Sequence, residues 1–137
     1  MIRVVIADDF PLVRRSIYAL LSKARDIEVI GEAADGQEAV EIVEKLAPDV
    51  VVMDVSMPRL DGVQATAQIQ ALGLMVRVLA VSMYTDATVV ENMLEKGARG
   101  FVAKAHLGDQ LLLAIRTVHG GAVYLSPTIA YRLGEEE

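Results

Sequence analysis

A chain of 137 residues, 53% hydrophobic and 23% charged, has room for one ordinary domain with a sizeable core and not for two. It has no cysteine, which excludes disulfides and thiolate metal sites and fits a reducing compartment, so a cytoplasmic location is expected; no run of about eighteen apolar residues argues for a membrane span. A formal net charge of -6 repels polyanions, and the chain itself is not expected to bind nucleic acid.

Taken in order, Ile2 to Ala7 is a short apolar run that stops at Asp8-Asp9. Phe10-Pro11 then opens a helix with Leu12, Val13, Ile17, Leu20 and Leu21 at helical spacing, proline suiting the first turn and Asp8 or Asp9 standing near the exposed amides. Glu28 to Ala34 reads as a second, more polar strand near a sheet edge. Asp35-Gly36 breaks it, and Gln37 to Leu46 is an amphipathic helix with Ala39, Val40, Val43 and Leu46 inside. Val50 to Asp54 is a run of apolar residues ending in a carboxylate, which predicts a strand covered on both faces with Asp54 at its C-terminal end. After Met57-Pro58-Arg59-Leu60, a helix from Asp61-Gly62 to about Leu72 is stopped by Gly73. Val76 to Ser82 is strand four. Asp86 is expected to cap a helix carrying Val89, Val90, Met93 and Leu94, which ends at Gly97. Gly100 to Ala103 is strand five, ending at Lys104, and Gly108-Asp109 leads into a helix with Leu111, Leu112, Ile115 and Val118 that closes at Gly120-Gly121. Val123 to Pro127 reads as an exit turn, Thr128 to Leu133 as a short helix, and Gly134 to Glu137 as frayed. Five strand and helix alternations with short connections predict an α/β fold with one parallel sheet and helices on both faces.

In such a sheet ligands bind beyond the carboxyl ends of the strands. That edge would collect Asp8 and Asp9 from strand one, Asp54 from strand three, Ser82 from strand four and Lys104 from the rim of strand five. Each stands where an apolar run stops. Carboxylates so placed repel by about 4 kcal/mol per pair at about 4 Å and an effective dielectric near 20. A cation is therefore expected, and hard oxygen ligands without histidine or cysteine favour Mg²⁺. Carboxylate, divalent metal, lysine and hydroxyl together describe phosphoryl transfer to an aspartate, with Asp54 attacking in line, the cations holding the equatorial oxygens, and Ser82 donating to one of them. An aspartyl phosphate is open to hydrolysis, so such a group acts as a timed switch rather than as a turnover enzyme.

With Asp8-Asp9, Met53-Asp54-Val55-Ser56-Met57-Pro58-Arg59-Leu60-Asp61-Gly62, Ser82 and Phe101-Val102-Ala103-Lys104 in this order, the chain resembles a response regulator receiver domain over roughly residues 2 to 120. The resemblance implies strand order 2-1-3-4-5, Asp54 as phosphoacceptor, and Mg²⁺ held by Asp9, Asp54 and the Ser56 backbone carbonyl, with Asp8 acting through water. It also implies phosphoryl contacts from Ser82 and Lys104, Phe101 as an aromatic switch residue, and Ser56 and Tyr84 as residues that tune the lifetime of the phosphoryl group. Ile115 to Pro127 further resembles the receiver end of NarL/FixJ-type regulators. This implies a receiver over 1–122 and the start of a linker or tail over 123–137, in an excised or stand-alone receiver. The implied partners are a sensor histidine kinase, a second copy on phosphorylation, and DNA only through a C-terminal helix-turn-helix domain that this chain lacks. Many receivers carry proline after the lysine; Ala105 stands there, so the loop is a departure.

Singly, these residues have ordinary readings: Asp8 or Asp9 as a helix cap, Ser82 as a strand-end hydroxyl, Lys104 as a solvated lysine, Phe101 as core. The joint pattern is what carries the reading. A haloacid dehalogenase-type phosphatase also uses an aspartate nucleophile and Mg²⁺, but wants Asp-x-Asp on its first strand, whereas Val55-Ser56 follows Asp54 on the third. A nucleotide or flavin module wants a glycine-rich or hydroxyl-rich loop where Asp8-Asp9-Phe10-Pro11 stands. A receiver fold used only for protein interaction would lack one of the acidic residues. His106 and His119 have no metal-ligand spacing and are expected on the surface.

Overall fold

The structure, a computed structural model, describes residues 1–136. Strands β1 (Ile2–Ala7), β3 (Val50–Asp54) and β4 (Arg77–Ser82) are nearly unbroken apolar runs, buried almost throughout, as interior strands of a parallel sheet are. The more polar β2 (Ile27–Ala33) lies at an edge, and β5 (Gly100–Ala103) follows β4. Every pairing is parallel, in the order β2-β1-β3-β4-β5-β6. The first five positions are those expected from sequence.

The sixth strand, β6 (Tyr124–Leu125), was not expected. It pairs with Gly100 and Phe101 of β5, and the Tyr124 amide donates to the Arg99 carbonyl at 3.0 Å. Two residues are too few to show a strand periodicity, which is why Val123 to Pro127 reads as a turn. The helix that follows, α6 (Pro127–Glu136), sets Ile129 into the core at 1% exposure and continues through Gly134, where the sequence suggests fraying; Glu137 of that expectation lies outside the described residues. Truncating a fully buried isoleucine costs about 2–5 kcal/mol. Ile129→Ala is therefore expected to lower the urea midpoint clearly, and an unchanged midpoint would mean that α6 contributes nothing to the fold.

Strand alternation sorts the helices onto two faces. Val50 and Val52 pack with Ile17 and Leu21 of α1 (Pro11–Ser22) and with Leu111 and Ile115 of α5 (Leu107–His119). Val51 and Met53 point the other way. They pack in one cluster with Val43 of α2 (Gly36–Leu46), Ile69 of α3 (Gly62–Ala71), Val90 and Met93 of α4 (Ala87–Glu95), and Ile129.

Local chemistry fixes the helix starts that frame the site. Asp35 Oδ1 accepts from the Glu38 amide at 2.8 Å, and Asp61 with Gln64 forms a reciprocal capping box at the start of α3. A Cβ on Gly62 would collide with the carbonyl oxygen of Asp54, so glycine there lets α3 close against the end of β3, where the Gly62 amide donates to Val55 at 2.7 Å. Asp86 occupies the N-cap of α4 as expected, but its side chain accepts no helix amide; the helix begins on its backbone carbonyl, which takes the Val90 amide at 3.2 Å.

Candidate functional site

Asp8 follows β1, Asp54 and Ser82 are the last residues of β3 and β4, and Lys104 follows β5, so one edge of the sheet collects all four. Asp8 is 0% exposed and Asp54 2%, while Asp9 is half-buried. Carboxylate oxygens of Asp8, Asp9 and Asp54 lie within 4.8 Å of one another. Lys104 reaches in over them, its Nζ 2.9 Å from Asp8 Oδ2 and 3.2 Å from Asp54 Oδ2, with its side chain only 12% exposed. The rim position expected for this lysine is thus corrected: strand five delivers it into the cluster because two buried carboxylates draw its charge inward.

One lysine does not satisfy three carboxylates. Asp8 Oδ2 and Asp54 Oδ2 receive no hydrogen bond of good geometry beside these ion pairs, and Asp9 Oδ1 is buried without a partner. Burial, and then the charge of Asp8, push the Asp54 carboxyl up to about 6, with Lys104 and the Ser56 amide opposing. For Lys104, burial pulls its ammonium down, but bonding and attraction to Asp8 and Asp54 outweigh it and hold the group above its ordinary value. Three convergent carboxylates that share one lysine, with Asp9 Oδ1 buried and unpartnered and no nitrogen or sulfur ligand among them, fit a hard divalent cation such as Mg²⁺.

Above the cluster opens a cleft of about 330 Å³ lined by Asp9, Phe10, Ser56, Met83 and Tyr84 around Asp54, Ser82 and Lys104. The Ser56 amide donates to Asp54 Oδ1 at 3.3 Å, and Ser82 Oγ accepts from the Tyr84 amide at 2.9 Å. Ser56 and Tyr84 are exposed at the mouth. The lining of the cleft thus includes the Asp54 carboxylate, the Lys104 ammonium and the Ser82 hydroxyl.

Phe101 is not brought to the cleft. It is fully buried in the cluster that contains Val90, Met93 and Ile129. Among the described residues no peptide bond is cis, and Lys104–His106 form a single 3₁₀ turn, so the loop with Ala105 still delivers the lysine. His106 and His119 are exposed, as expected.

Two residues at the site escape the sequence reading. Phe10 lies under Lys104, whose Nζ is 5.8 Å from the ring centroid, and an aromatic beside paired aspartates gives no warning of that. Arg14 bends back from α1, its Nη1 donating to the Asp8 carbonyl at 2.6 Å and its Nε lying 3.4 Å from Glu32 Oε1. The available signal is a cation near a helix N-terminus, where the dipole disfavours it.

The geometry has counterparts in known proteins. The family profile described as the response regulator receiver domain matches residues 4–116. The transcriptional regulatory protein DegU of Brevibacillus brevis is 36% identical over 135 residues, covering 98% of this chain and 57% of its own length. This chain spans about 57–62% of the length of such curated relatives. Among solved structures, the signal receiver domain of the NarL regulator from Mycobacterium tuberculosis superposes with a TM-score of 0.85 at 35% identity, covering 88% of this chain and 97% of that one. A LuxR-family two-component response regulator from Aurantimonas superposes at 0.94 and 33% identity, covering 98% and 96%. With the family profile spanning most of the chain and relatives above 30% identity along nearly all of it, this chain belongs to the response regulator receiver domains of two-component signal transduction, on their NarL-like branch.

Proposed function

We propose that this chain is a phosphoacceptor switch in which Asp54 takes a phosphoryl group from the phosphohistidine of a sensor kinase. The observation that supports it most is the burial of Asp54 between Asp8, Asp9 and Lys104 at the floor of an open cleft. An Asp54 carboxylate oxygen attacks phosphorus, the new P–O bond forms as the P–N bond to the donor imidazole breaks, and the leaving nitrogen takes up a proton. Lys104 holds one phosphoryl oxygen by charge, and Ser82 donates its hydroxyl to another. Asp9, Asp54 and the Ser56 carbonyl would hold Mg²⁺, with Asp8 acting through water. The ion supplies charge neutralisation of the transferring oxygens.

The dianion formed on Asp54 would draw Ser82 and Lys104 inward, and because β4 and β5 are paired at Ser82 and Ala103, that pull reaches Phe101 two residues earlier on β5. Residues 1–122 form the switch in this reading, and the segment from 123 begins the connection to an output domain. The output is transcriptional control in the cytoplasm. DNA is met through a helix-turn-helix domain rather than by this acidic chain, and pairing with a second copy strengthens on phosphorylation.

Backbone amide spectra test the switch. Adding Mg²⁺ is expected to shift Asp8, Asp9 and Ser56, and adding fluoroberyllate, a phosphoryl mimic, is expected to shift residues 82–84 and 101–104 further. Shifts that stop at residue 56 would refute the relay to β5.

A further inference from the structure

We infer that Arg14 is a positioning residue for the metal site, acting through the Asp8–Asp9 peptide; this rests on the proposed Mg²⁺ role of that site. Arg14 lies in the fourth position of α1, near the helix end whose dipole repels cations, and no acidic residue of that first turn compensates it. Its side chain nevertheless turns back toward the helix start. Nη1 makes a 2.6 Å charge-assisted hydrogen bond to the Asp8 carbonyl, and Nε pairs with Glu32 on the neighbouring β2 at 3.4 Å. The Arg14 side chain is only 20% exposed, and its two contacts hold it between the two strand ends.

The carbonyl it grips belongs to the peptide joining Asp8 to Asp9, the two acidic residues delivered by β1. The Asp8 side chain is already occupied on its own loop, with Oδ1 accepting the Phe10 amide at 2.9 Å and Oδ2 facing Lys104 at 2.9 Å. Asp9 has no such anchor: its Oδ1 is buried without a partner. By fixing the plane of the peptide that precedes Asp9, this contact limits where the unpartnered carboxylate sits. The rigid planar fork of arginine suits a grip on two acceptors at once, and an ammonium does not replace it.

Coulomb repulsion and positioning predict opposite signs, which makes the role testable. A cation beside the site repels Mg²⁺, so on charge alone its removal tightens metal binding. If Arg14 positions Asp9, its removal weakens binding in spite of the relieved repulsion. Supporting groups around metal ligands are worth about 10–100-fold in affinity. Calorimetric titration with MgCl₂ at low ionic strength, on the parent, Arg14→Met, Arg14→Lys and the exposed neighbour Arg15→Met, separates the two. Arg14→Met is expected to bind Mg²⁺ about tenfold more weakly. Arg14→Lys, which keeps the charge and loses the fork, should also be weaker, and Arg15→Met should match the parent or bind slightly more tightly. Should Arg14→Met fail to fold, Arg14→Lys carries the test, since equal affinity there overturns the role. Binding by Arg14→Met as tight as the parent's, or tighter, overturns it alone and leaves the metal site standing. A parent that binds no Mg²⁺ overturns the metal site and this role together.

Discussion

Asp54→Asn is expected to lose phosphate acceptance completely and, without metal, to be more stable than the parent at pH 8. The first effect follows because asparagine offers no anionic oxygen to phosphorus. The second follows from burial: the folded state raises the Asp54 carboxyl from its ordinary 3.8 to about 6, so the folded chain holds this proton more tightly than the unfolded one. As pH rises from about 4 to about 6 the unfolded chain gives up the proton first, and stability falls through that window by about 3 kcal/mol for a shift of about two units. Above it the parent carries the full penalty and the asparagine variant carries none. Chemical denaturation at pH 8 and at pH 4.5 should show the advantage of the variant shrinking toward acid. Millimolar Mg²⁺ should stabilise the parent and not the variant, because a ligand bound only by the native state adds RT ln(1 + [L]/Kd). A variant less stable than the parent at pH 8 would mean that the buried carboxylate is already well satisfied.

The second large effect is expected at Lys104, where the structure changes what the sequence suggests. A lysine at the rim would matter to signalling and little to folding. Instead its ammonium bridges two buried carboxylates at 2.9 and 3.2 Å, and removing one member of a buried ion pair costs about 3–5 kcal/mol when the partners cannot neutralise. Asp54 can take up a proton, so Lys104→Met is expected to lose about 2–4 kcal/mol at pH 8 and less near pH 5. The variant should also gain more from Mg²⁺ than the parent does, since metal and lysine compensate the same oxygens. An unchanged denaturation midpoint at pH 8, with or without metal, would show that the lysine carries no structural charge. Its phosphoryl role would then stand apart from stability.

Most of the sheet could be read in the chain because parallel strands covered on both faces are written as apolar runs, and Val50 to Asp54 is the clearest of them. The candidate site residues could be read for the same reason in reverse: Asp8, Asp54, Ser82 and Lys104 are the polar residues at which those runs stop. What escaped the sequence depends on residues distant in the chain. Tyr124–Leu125 pair as a strand only because β5 presents an open edge, and two residues carry no periodicity. The depth of Lys104 is set by the carboxylates of Asp54 and Asp8, both distant in the chain, a tertiary fact that no window around the lysine contains. Arg14 and Arg15 are adjacent and chemically identical, yet one turns inward to a carbonyl and the other stays exposed.

In the proposed switch Asp54 accepts a single phosphoryl group with a divalent cation in place. Intact mass after incubation with a small acyl phosphate, with and without Mg²⁺, tests it most directly. The expected result is the mass of one phosphoryl group added to the parent only when Mg²⁺ is present, and nothing added to Asp54→Asn. Equal gain by that variant, or no gain by the parent with Mg²⁺, would contradict the assignment.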